Sequence, residues 1–66
     1  MKVDYDQRTD ILTLTFTDTP VEESDEIRPG IILDFNREGQ VVGMEILDAS
    51  RHMDNPAAVE FAVQAA

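Results

Sequence analysis

A chain of 66 residues without a cysteine can neither staple a small core with disulfides nor build a thiolate metal site. Its 14 acidic residues outweigh 5 basic ones, and the formal net charge of −9 repels phosphate backbones and argues against nucleic acid as a ligand. No stretch approaches the roughly 18 apolar residues of a membrane-spanning helix, and no signal-peptide pattern opens the chain, so a soluble, cytoplasmic single domain over residues 1–66 is expected.

Such a domain buries only about 60% of the surface its unfolded chain exposes. With disulfides absent and a lone His52 unable to hold a metal by itself, oligomerisation is the remaining source of stability.

Lys2-Val3-Asp4-Tyr5 reads as a short strand (2–5) with Val3 and Tyr5 on one face. A polar turn follows, and residues 11–16 alternate: Leu12, Leu14 and Phe16 on one side, Ile11, Thr13 and Thr15 on the other. That is a half-buried strand, paired with the first in a hairpin.

Residues 17–29 form an acidic connection in which Glu22, Glu23, Asp25 and Glu26 fall within five positions. A charged edge strand over 21–27 is one reading, since charge keeps sheet edges from pairing with other chains. The sharper reading makes these four carboxylates a docking patch for a basic partner. Pro29-Gly30 then resets the direction of the chain.

Two apolar runs, 31–35 and 41–47, flank Asn36-Arg37-Glu38-Gly39. Asn suits the first position of a type I turn, and Gly39 suits the left-handed residue of a bulged hairpin. With Asn36 opposite Gln40, Phe35 faces Val41, Leu33 faces Gly43 and Ile32 faces Met44. Ile31, Leu33, Phe35, Val41 and Leu47 then share one face, while Ile32, Val42, Met44 and Ile46 share the other. Both faces of this hairpin are apolar, and one short helix covers only one of them. The second calls for a cover from outside the chain.

Asp48 is placed to cap a short helical turn. Asn55-Pro56 is the stronger start signal, with Asn as cap and Pro in the first helical position. Over 56–64, Ala58, Phe61, Ala62 and Ala65 recur at helical spacing, so a C-terminal helix is predicted. The fold class is therefore α+β: a small antiparallel β-meander of four to five strands in two hairpins, followed by a helix.

Asp34-x-Asn36-x-Glu38-Gly39 followed by Glu45 imitates a calcium-binding EF-hand loop. Its fifth position carries Glu38 where Asp or Asn is usual. Its approach is a β-branched run after a Pro-Gly break, whereas an EF-hand loop is entered from a helix. A hairpin turn is the better reading. Asp4, Asp6 and Asp10 around the first turn offer at most a weak cation site. Acid–base chemistry by Asp34 and Glu45 needs a pocket that perturbs a carboxyl, and opposite ends of a flat hairpin rarely supply one. His52 has no nucleophile at a recognisable spacing. No catalytic residue, metal site or cofactor is read from the chain, and the expectation is a protein that is not an enzyme.

Tyr5-Asp6, Asp10-Ile11-Leu12, Pro29-Gly30-Ile31-Ile32-Leu33-Asp34 and the run from Glu38 to Ser50 together carry a resemblance. In order and spacing they resemble the prokaryotic domain-of-unknown-function family 2283, over residues 1 to about 52. The resemblance implies a small β-rich fold followed by a helix, no established activity and no catalytic residue to carry over. It also implies an association with small toxin-like proteins, which suits an acidic antitoxin-like role.

Three functional readings follow. The favoured one is a non-enzymatic homo-oligomer, a dimer by preference, whose spare apolar face is buried against itself. The alternative is an acidic, antitoxin-like binder of a basic protein through Glu22, Glu23, Asp25 and Glu26. The least favoured is a metal-dependent role for the carboxylates of the Asp34 to Glu45 segment.

Overall fold

The computed structural model describes residues 1–65. Five strands, β1 (Lys2–Asp6), β2 (Ile11–Thr15), β3 (Glu23–Arg28), β4 (Ile31–Phe35) and β5 (Val41–Ile46), precede one short helix, α1 (Ala49–His52). All pairings are antiparallel and form one sheet of order β1-β2-β5-β4-β3. The α+β class is as the sequence predicts, and the acidic segment does form a strand.

The order departs from a sequential meander. After β2 the chain crosses to the far edge, makes β3, and returns through β4 so that β5 pairs with β2 in the centre. Composition explains this choice. Every residue of β3 is exposed, and a strand of Glu, Ser, Asp and Glu suits only an edge, where its charges stay in water. The apolar β5 takes the central place, with Val42 and Gly43 buried.

The turn of the β4–β5 hairpin is the one predicted. Asn36 N–H donates to the Gln40 carbonyl (2.9 Å), Gly39 N–H donates to the Asn36 carbonyl (3.0 Å), and Gly39 has φ 79°. Phe35 faces Val41, also as predicted, but a bulge follows at once. Val42 is the extra residue, so Leu33 faces Met44 and Ile32 faces Glu45, which corrects the predicted pairs Leu33–Gly43 and Ile32–Met44. A shift of one residue exchanges the faces of everything beyond it.

The result is a sheet with one apolar face instead of a hairpin with two. Cross-strand partners share a face, and one row runs Val3, Leu14, Met44, Leu33, Asp25 across all five strands. A second row holds Tyr5, Leu12, Ile46 and Ile31. The opposite face carries Asp4, Thr13, Glu45, Ile32 and Glu26, with Thr15, Gly43, Asp34 and Ser24 beside them.

The predicted helix over 56–64 does not form. Asn55 does cap a turn, accepting from Ala57 N–H at its side-chain Oδ1 and from Ala58 N–H at its carbonyl, both at 3.1 Å. The chain then continues to residue 65 without regular secondary structure. Two or three turns are marginal alone, and Val59, Phe61 and Val63 stay exposed here, so no packing rewards extending the first turn. The helix that forms lies earlier, where Asp48 was expected to begin one. Asp48 makes no side-chain cap. Instead Asp10, 40 residues distant, accepts from Ala49 N–H at its carbonyl (2.9 Å) and from Ser50 N–H at its carboxylate (3.0 Å).

Candidate functional site

An apolar sheet face needs a cover, and little of this chain supplies one. α1 has four residues, about 6 Å of helix, against a five-stranded sheet about 19 Å wide. Among the described residues, Leu12, Val42 and Ala49 are the buried hydrophobic side chains and no large side chain is fully buried. Leu14, Ile31, Leu33, Phe35, Met44 and Ile46 remain half-buried. The chain exposes 5307 Å², whereas a compact monomer of its mass exposes about 4,200 Å². Its radius of gyration is 12.9 Å, against about 11 Å for a compact domain of this length.

The acidic segment borders this face without forming one patch. Glu23 and Asp25 lie opposite Phe35 and Leu33 and so flank the apolar rows, while Glu26 lies opposite Ile32 on the polar face. Glu26 also accepts from the Gly30 N–H (2.9 Å), an intramolecular task that fixes the β3–β4 turn. Glu22 sits just before β3, its N–H donating to the Phe35 carbonyl (2.8 Å). Of the four candidate carboxylates, two, Glu23 and Asp25, share the side of the half-buried Phe35 and Leu33.

The polar face holds a carboxyl pair. In the predicted register Asp34 and Glu45 fall on opposite faces; the bulge at Val42 puts them on one face, as diagonal neighbours across β4 and β5. Asp34 is buried and accepts from the Ser24 hydroxyl at 2.6 Å. Burial pushes the Glu45 carboxyl above its usual range, and a hydrogen bond to Asp34 and the negative charge there push it the same way. A depression beside Asp34 is lined by Thr13, Thr15, Val42, Gly43 and the connection at residues 17–21. No group of three or more His, Asp or Glu converges among the described residues.

In the turn that imitates a calcium loop, the side chains of Asp34 and Asn36 are engaged by their own chain. Asn36 is buried; its Oδ1 accepts from the N–H groups of Glu38 (3.0 Å) and Gln40 (2.9 Å), and its amide donates to the Gln40 side chain (2.9 Å). Asp34 accepts from the Ser24 hydroxyl, and the segment is entered from β4, not from a helix.

Asp4, Asp6 and Asp10 do not converge either. Asp4 faces Thr13 on the sheet, and Asp6 accepts from Arg8 N–H at 3.0 Å. Asp10, in the left-handed region at φ 57°, collects the Tyr5 hydroxyl (2.7 Å) and the Ser50 hydroxyl (2.6 Å). Those donors, Ser50 first, hold its carboxyl below the ordinary value, and the same bond pushes the Tyr5 phenol up. Sequence reading missed this knot, because nothing local to Asp10 or Ser50 announces a contact across 40 positions. Its effect is to clamp the first hairpin to α1. His52 ends α1 beside Gly30, without a nucleophile in a described contact.

The family model described as "Protein of unknown function (DUF2283)" matches residues 2–50, which takes in the whole sheet and the start of α1. No curated protein and no solved structure matches the chain. No helix among the described residues is long and apolar enough to cross a membrane.

Proposed function

Since the chain belongs to the DUF2283 family, whose description assigns no activity, we propose a role from its surfaces: a non-enzymatic, homodimeric protein-interaction module. One observation carries the reading, the uncovered apolar face whose central row is Leu14, Met44 and Leu33. The face and the exposed segment after Asn55 together leave the chain more surface than a compact monomer has, and a standard interface takes about 800 Å² from each partner. Two copies packed face to face supply that cover with no other chain, because a twofold interface sets the same patch against itself. The sheets then stack about 10 Å apart with their apolar rows interdigitated.

The test is charge in the central row. Leu14→Lys should give a monomer at concentrations where the natural chain is a dimer, since a buried unpaired ammonium costs several kcal/mol. A Leu14→Lys chain that still dimerises would sink the reading.

A second reading rests on Glu23 and Asp25 standing beside Phe35 and Leu33. A mixed apolar and acidic surface of this kind suits a basic protein with an apolar centre, as an antitoxin-like binder requires. Such binding weakens steeply with salt and with Glu23→Gln and Asp25→Asn together, whereas the self-association of two apolar faces does not.

A further inference from the structure

Residues 58–65 are exposed throughout in their own copy. Past the Asn55 turn the described residues, to 65, form no strand or helix, and Val59, Phe61 and Val63 are 64%, 77% and 78% exposed. Those three side chains alternate with Glu60, Ala62 and Gln64, the period of a strand with one apolar side. The helical spacing in the same segment goes unused. Ala57, just before the segment, lies with Asp4, Tyr5, Asp6 and Gln7 around a shallow depression at the end of β1.

β1 is also the sheet edge open to addition. Its ladder with β2 is regular over five residues, its outer side faces no strand, and Val3 is 39% exposed. The other edge, β3, is acidic and carries a bulge between Glu26 and Arg28, two features that obstruct strand addition.

We propose that residues 58–65 form an exchanged arm, adding as a sixth strand to the outer edge of β1 in a second copy. In that place Val59, Phe61 and Val63 continue the apolar face beyond Val3 and Tyr5, and the arm's backbone gains the hydrogen bonds it lacks. The inference rests on the homodimer and adds a second, separable contact to it.

The experiment mixes two full-length populations. One is uniformly ¹⁵N-labelled; the other is unlabelled and carries a nitroxide on Gln64→Cys, a unique site in a chain without cysteine. Exchange predicts that the amides of Val3 to Asp6 in the ¹⁵N copies broaden and recover when the nitroxide is reduced. Phe61→Ser should also raise the dimer dissociation constant about tenfold or more, the worth of one buried aromatic side chain. A dimer whose β1 amides stay sharp, or one broadened at β3 instead, overturns the arm and leaves the face-to-face dimer standing. An unchanged dissociation constant in Phe61→Ser does the same. A monomer at every concentration overturns both.

Discussion

Truncating Leu33 to alanine separates the proposed interface from the fold of a single copy. Leu33 lies between Met44 and Asp25 in the central apolar row and is only half-buried in one copy. The half that a second copy would cover is worth about 1–1.5 kcal/mol. Twofold symmetry removes it twice, so the dimer loses about 2–3 kcal/mol, and at 1.4 kcal/mol per decade its dissociation constant rises about 30- to 150-fold. Ile32→Ala is the control, a half-buried apolar residue of the same strand on the opposite face. It should destabilise each copy by about 1–2 kcal/mol and move the dissociation constant by less than about threefold. Sedimentation equilibrium reads the dissociation constant, and urea unfolding at fixed concentration reads the fold. Equal shifts from the two substitutions would mean that dissociation merely follows unfolding, and the reasoning from faces would fail.

Four further outcomes follow from the β4–β5 hairpin and from the carboxyls of Glu45 and Asp10. Glu45 is raised above its usual 4.5, so its contribution to stability is full below that value and is lost as pH rises through the folded one. The urea midpoint should therefore climb on acidification from neutrality, and Glu45→Gln should flatten that window. Asp10 is lowered from 3.8, so its contribution is present above that value and lost as pH falls through the folded one; Asp10→Asn should flatten the acid limb of the same profile. Asn36→Ala forfeits three side-chain hydrogen bonds in a buried turn and should cost about 2–3 kcal/mol in thermal unfolding. Gly43→Ala sets a Cβ 2.9 Å from the Leu14 carbonyl and 3.3 Å from Asp34 Oδ2, so about 1–3 kcal/mol should be lost, with the shift visible in calorimetry.

What was legible in the sequence was local. Alternation in residues 11–16 and the Asn36 to Gly39 turn chemistry locate their strands and turn, because side-chain period and backbone conformation are set within a few residues. The bulge at Val42 was not legible, and its consequence is large: it merges two expected apolar faces into one and places Asp34 beside Glu45. A bulge is decided by what packs on either side of a strand, and no residue type in Val41-Val42-Gly43 demands one. The strand order was equally hidden, although the charge of β3 marks it as an edge once the sheet is known. At the C-terminal segment two periods coexist, and Asn55-Pro56, a sound helix start, favours the helical one. The structure keeps the cap and drops the helix, since nothing within one copy packs against it.

The central claim is that the apolar face is covered by a second copy, and solution mass tests it most directly. Multi-angle light scattering on the natural chain, across a wide range of concentrations, should give twice the 7.4 kDa of one copy and fall toward that value on dilution. A mass that stays at one copy throughout would contradict the account.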